Sequence, residues 1–264
     1  MTKPRDLANS VNTGPVAGFR NLLINGNPTI NQRGYVSGTN TGGANEYTLD
    51  RWRVVTSGQN IAFSTTAGIC TVTAPAGGVE QVVEGASILG GSYVLSWTGT
   101  ATATVNGNAV TNGGTVTLTG GSNATVRFSS GTFAQAQLEP GTVATAFEQR
   151  PAGVELLLCQ RYFWRRSGAE YYGAGYFQSA TEWNGCVMQW PVAMRTAPVL
   201  TFAAASNFTF GYGGGSLTAA TITAGSITVR SANVYGTVAS GGTTGYGSAL
   251  IAGANASVSI SAEF

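Results

Sequence analysis

The sequence predicts an all-β protein: two β-sandwich domains joined by one short helix. Three observations carry that expectation. The composition is the first. Of 264 residues, 38 are Gly and 9% are charged, where an average domain is about one-quarter charged. Thr and Val suit a pleated, half-buried surface, and Gly and Asn suit tight turns. Alternation is the second. Val116 and Leu118 stand between Thr115, Thr117 and Thr119, and Ala124, Val126 and Phe128 oppose Thr125 and Arg127. That period of two marks a sheet with one buried face. The third is a single stretch, 154–166, that holds no Gly or Pro and has a helical period.

Taken in order, residues 1–20 carry Pro4, Gly14, Pro15 and Gly18 and little apolar surface, and read as an arm that needs a partner to become ordered. A first domain spans 21–150. Leu22–Ile24 is expected as a short strand, followed by a turn at Asn25-Gly26, where both residues tolerate positive φ. Strands are expected at 52–56, 61–66, 69–73, 79–84, 92–98, 101–105, 115–119, 124–129 and 133–139, with a hairpin turn in Val105-Asn-Gly-Asn. About nine short strands with Gly-rich punctuation make a sandwich the natural solution.

Pro151 stands where a helix can begin without losing a needed N–H. The connecting helix is expected within 151–166. Val154, Leu157, Leu158, Arg161 and Tyr162 form one stripe, with Leu156, Cys159 and Phe163 on another side. An apolar surface wrapping most of a helix implies burial on more than one face, between the domains, between subunits or both, and the stripe is the candidate oligomer interface. Residues 167–264 return to strands and are richer in aromatics. Strands are expected at 170–178, 185–192, 199–204, 207–212, 217–223, 226–230, 233–238, 246–251 and 257–263, with Gly-rich loops at 211–215 and 241–245.

Several function classes are excluded or disfavoured. The chain has no His, which removes His-dependent triads, zinc sites and proton shuttles. Cys70, Cys159 and Cys186 are odd in number and widely spaced, and read as three core thiols; nothing in the sequence supports a Cys159–Cys186 bridge. A net charge of +2 with scattered Arg makes no footprint for nucleic acid. No apolar run is long enough for membrane insertion, and the N-terminus lacks a signal core. The carboxylates Glu46, Asp50, Glu80, Glu84, Glu170 and Glu182 fall in no recognisable catalytic pairing, so no enzyme is expected. With two Asp in the chain, neither a structural calcium nor any other metal or cofactor is expected.

The motifs then suggest a family. Residues 21–27 (NLLINGN) resemble the opening strand of carbohydrate-binding-module-like jelly rolls, and 135–148 (QAQLEPGTVATAFE) resemble their closing strand and exit. Residues 150–163 (RPAGVELLLCQRYF) and 191–198 (PVAMRTAP) resemble segments of bacteriophage tail-fibre and other virion structural proteins. The resemblance covers 20–165 well, 186–200 in part and 257–264 loosely. It implies a jelly roll at 21–150 and a virion protein, made in the host cytoplasm and exposed on the extracellular particle. It further implies a homotrimer that adsorbs to host surface polysaccharide through a tip at 167–264 and joins other virion proteins through the arm at 1–20. The alternative is a purely structural role as a capsid decoration, head-fibre or tail-adaptor protein.

A sugar site needs a flat aromatic face together with amide, carboxylate or Arg groups. Trp183, Tyr212, Tyr235 and Tyr246 are flanked by small or turn residues and are the glycan-binding candidates of the second domain.

Overall fold

The computed structural model describes residues 19–264, so the expected arm lies outside the described residues apart from Phe19 and Arg20. The described residues divide into two compact units, one up to Glu155 and one from Leu156 to Phe264.

In the first unit the strands are β1 (Glu46–Tyr47), β2 (Arg53–Val54), β3 (Ala62–Thr66), β4 (Ile69–Ala74), β5 (Val79–Val83), β6 (Gly91–Thr98), β7 (Thr102–Val105), β8 (Asn108–Val110), β9 (Gly114–Leu118), β10 (Ala124–Ser129) and β11 (Gly131–Pro140). They form two sheets, β1-β2-β5-β10-β7-β8 and β3-β4-β11-β6-β9, all antiparallel. The pairing pattern is nested: β4 with β11, β5 with β10, β6 with β9, β7 with β8. A long hairpin folded over on itself gives that nesting, which is the jelly-roll topology. Asn106 and Gly107, at φ 52° and 82°, make the turn between β7 and β8, as a two-residue hairpin requires. Between the sheets Phe128 stacks on Phe133 at 4.4 Å, and Trp52 meets Phe133 at 5.0 Å.

Residues 22–24 form no strand, contrary to expectation, and the chain turns at Ile24 and Asn25. Side chains take the hydrogen bonds a strand partner would take. Leu23 N–H donates to Asn21 Oδ1 and Ile24 N–H to Gln81 Oε1. Asn25 has φ 57°, and Gly26 is needed for close approach, since a Cβ there would collide with the Ala136 carbonyl.

Helix α1 (Ala152–Gln160) opens with the Pro151 carbonyl accepting from Val154 and Glu155. It is shorter than the 154–166 periodicity suggests. Tyr162 N–H closes the last turn onto Cys159 O, and the chain becomes β12 (Phe163–Ser167), paired residue for residue with the last strand of the chain. Aromatic Phe163 and Trp164 suit a strand with such a partner.

The second unit continues with β13 (Glu170–Phe177), β14 (Glu182–Gln189), β15 (Val199–Phe202), β16 (Phe208–Tyr212), β17 (Gly215–Thr218), β18 (Thr221–Gly225), β19 (Ser231–Thr237), β20 (Gly247–Ala252) and β21 (Ser257–Ser261). A seven-stranded sheet, β17-β16-β20-β13-β14-β19-β18, and a three-stranded sheet, β12-β21-β15, share one apolar core that includes Trp183, Phe210, Val234, Val258 and Ile260. The expected strand at 217–223 is two strands, β17 and β18. The expected strand at 226–230 is a turn instead: Ser226 has φ 49°, and the Thr228 hydroxyl accepts from Arg230 and Ser231 N–H.

Candidate functional site

The seven-stranded sheet has one face on the core and one outward, and the inward face explains what the outward face can hold. Trp183 is 2% exposed. Its indole stacks on Phe210 at 4.6 Å and donates from Nε1 to Ser248 Oγ at 2.7 Å. A Cβ at Gly175 would lie 2.5 Å from the Trp183 ring; one at Gly185 would overlap that ring and the Val234 carbonyl, and one at Gly236 would overlap Phe210. The expectation that Trp183 is exposed is therefore corrected. Its small neighbours are room for rings in the core, not signs of a loop tip.

Register sets the outward rows. Tyr176 pairs with Asn184, Asn184 with Tyr235, and Tyr235 with Thr223. At the ordinary strand spacing this row crosses about 14 Å of sheet. Beside it Glu182 pairs with Thr237, and Thr237 with Thr221. Of these, Asn184, Tyr235, Thr223, Glu182, Thr237 and Thr221, with Gln178, line a groove of about 270 Å³. Asn184 Nδ2 donates out of it to Tyr176 Oη at 3.3 Å, Asn233 Nδ2 donates to Tyr235 Oη at 3.2 Å, and the hydroxyls of Thr221 and Thr237 lie 2.8 Å apart.

The carboxylates separate sharply. Glu80 binds Arg53 and Arg127, Asp50 binds Arg33, Glu155 binds Arg150, and Glu170 binds Arg166. Glu46, Glu139 and Glu148 accept backbone N–H groups. The Glu182 carboxylate, by contrast, has neither a hydrogen bond nor an ion pair among the described residues. It is exposed on this groove.

On the other half of the same face, Ala174, Ala249, Gly211 and Ser216 lie in one cross-strand row. They floor a wider, open groove of about 770 Å³, edged by Tyr171 and Tyr212. Tyr171 is 71% exposed and Tyr246 53%; Tyr212 and Tyr246 meet edge to face at 6.3 Å. Of the four glycan-binding candidates, Tyr235 lines the narrow groove, Tyr212 the wide one, Tyr246 stands beside Tyr212, and Trp183 is core. Sequence reading did not select Asn184 or Gln178, because each joins the groove only through the β13–β14–β19 register. The oligomer candidates also differ in setting. Leu157 is 47% exposed, Val154 and Leu158 are half-buried, and Arg161 and Tyr162 lie past the helix in the turn, where Tyr162 is buried against Phe264.

The motif residues of the first unit are occupied differently. Asn21 Nδ2 donates to Ala136 O, and Asn21 Oδ1 accepts from Leu23 and Leu138. Glu148 accepts from the N–H groups of Arg20 and Asn21. The Arg150 guanidinium binds Glu155, Leu23 O and Asn21 O, and Asn25 N–H donates to Glu155. The opening segment, the closing segment and the start of α1 are thus tied in one polar seam.

All three cysteines are buried thiols, and burial pushes Cys70 and Cys186 up, keeping them protonated at neutral pH. Among the described residues no cluster of three or more Cys, Asp or Glu forms a cage for a metal ion, and no helix is long and apolar enough to cross a membrane. Compared with protein-family models, with curated proteins and with solved structures, the chain gives no match.

Proposed function

We propose that the chain is a bacteriophage virion structural protein of the tail-fibre type, which adheres to host surface polysaccharide through the outward face of its second unit. The observation that carries the adhesive part is the Glu182 groove. A tyrosine face, two amides, three threonine hydroxyls and an unpaired carboxylate gather on a sheet held rigid from behind by Trp183 and Phe210. Aromatic faces cover the apolar side of a sugar ring, and amide and carboxylate groups take its hydroxyls. The virion assignment and the homotrimer rest on the resemblance of the seam segments and of 191–198.

The test is adsorption of the full chain to a panel of bacterial surface polysaccharides, with sedimentation of the same sample reading three copies per particle. Replacing Asn184 and Tyr235 together by Ala should weaken adsorption about tenfold or more, since a hydrogen bond and an aromatic contact are each worth about 1 kcal/mol. Incorporation into particles with no saccharide adsorption would instead favour the purely structural reading, toward which the interlocked seam of the first unit points.

A further inference from the structure

We infer that the saccharide held on this face is uncharged or amine-bearing, and that acidic polymers are turned away by Glu182. The inference rests on the reading of this face as a sugar site and adds its ligand class. The lining of the wide groove carries no ionisable acid or base other than tyrosine, and the lining of the narrow groove carries one charge, Glu182. No Arg or Lys lines either groove. Recognition of a carboxylate or sulfate along a polysaccharide depends on such cations, most often as bidentate Arg. The chain is not short of Arg. In the second unit, however, Arg166 is engaged with Glu170 and Arg195 with the carbonyls of Ala262 and Glu263, and the exposed Arg230 lines neither groove. An acidic polymer lying in these grooves would meet an uncompensated carboxylate and no cation among the lining residues.

Glu182 suits the opposite partner. Its oxygens have no partner within the chain, so they can accept from sugar hydroxyls or from an ammonium without breaking a bond already made. Neighbouring Gln178 and Thr223 side chains likewise make no hydrogen bond within the chain, and Asn184 uses one N–H on Tyr176 and keeps its carbonyl oxygen open. Salt should weaken the preference for an amine and leave the binding of an uncharged sugar nearly unchanged.

The experiment uses the full chain and three probes of equal length: N-acetylchitooligosaccharide, chitosan oligosaccharide and oligogalacturonate. Binding is measured by titration calorimetry at low and at high salt, for the wild type and for Glu182→Gln. The expected order is chitosan oligosaccharide first, the N-acetylated probe second and oligogalacturonate last. Glu182→Gln should narrow the gap between the first two by about two- to five-fold, the scale of one exposed charge pair, and should raise oligogalacturonate binding. Thermal unfolding should be unchanged, because the carboxylate holds nothing in the fold. Oligogalacturonate binding at or above chitosan oligosaccharide, unaltered in Glu182→Gln, would overturn the inference and leave saccharide adhesion standing. No binding of any probe by the folded wild type, together with no adsorption to the polysaccharide panel, would remove both.

Discussion

The two units bury polar groups in opposite ways. Of the fourteen polar or charged residues buried among the described residues, twelve lie in the first unit and only Gln160 and Ser248 in the second. The first unit uses its buried polar groups to specify connectivity. Asn21, Gln81 and Arg150 bond backbone groups far away in sequence, and Gln137 and Glu139 hold the closing segment at Thr145 and Glu148. The second unit fills its core with rings and glycines and leaves its polar groups on the surface. A buried polar group must be paired or it costs free energy. A polar group left outside is free for a ligand. The difference separates a unit whose buried polar groups are spent on its own fold from one that leaves most of its polar groups at the surface.

The comparison breaks most forcefully at Arg150. Arg150→Met leaves Glu155 and the carbonyls of Asn21 and Leu23 without their common donor. Removing one partner of a buried pair costs about 3–5 kcal/mol. Hydrogen exchange read by mass spectrometry should show protection lost over residues 20–27 and 135–148 and retained over 170–252. Equal loss in both regions would mean that the seam is not what holds the first unit.

A smaller effect is expected from Gly185→Ala. Its Cβ overlaps the Val234 carbonyl and the Trp183 ring, and overpacking of this kind costs about 1–3 kcal/mol. Protection should fall along β14 and β19, and saccharide adsorption should fall with it, because the groove is the other side of the same strands. A Gly185→Ala chain with unchanged exchange in β14 would show that the platform tolerates the added methyl.

Legibility in sequence follows the same division. The jelly-roll strands were readable because alternation is local: Val126 and Phe128 face inward whatever they pair with. Strand β12 was not readable, since Phe163–Ser167 is a strand only through β21, and nothing in 154–166 interrupts a helical pattern. Glycine misled at Trp183, because the same small residues that mark an exposed turn also make room for a buried indole. The groove was half legible. Tyr235 and Glu182 could be noticed singly, but the row joining them to Asn184 exists only in the sheet register.

The subtlest test is a buried hydroxyl of the second unit that has no partner. Tyr172 is 6% exposed, and its Oη has no hydrogen-bond partner. Arg166 lies over its ring at 4.2 Å. Burial, followed by the nearby Glu170 carboxylate, pushes the phenol from 10.0 up to about 12, against the opposing pull of Arg166 and Arg165. The sign follows from which state holds the proton. Below pH 10 both states are protonated, and the full stability is present. Between pH 10 and 12 the unfolded chain releases the proton while the folded chain keeps it, so stability falls as pH rises, by up to about 3 kcal/mol over two pH units. Tyr172→Phe should flatten that loss in urea titrations at pH 8 and pH 11, leaving the smaller slope due to Tyr35, which burial also raises. At pH 8 the variant should be as stable as the wild type or slightly more so, by less than about 1 kcal/mol, because it removes a hydroxyl that nothing satisfies. A variant clearly less stable at pH 8 would mean that the hydroxyl is partnered after all, and that the second unit depends on a buried polar contact besides that of Trp183 with Ser248.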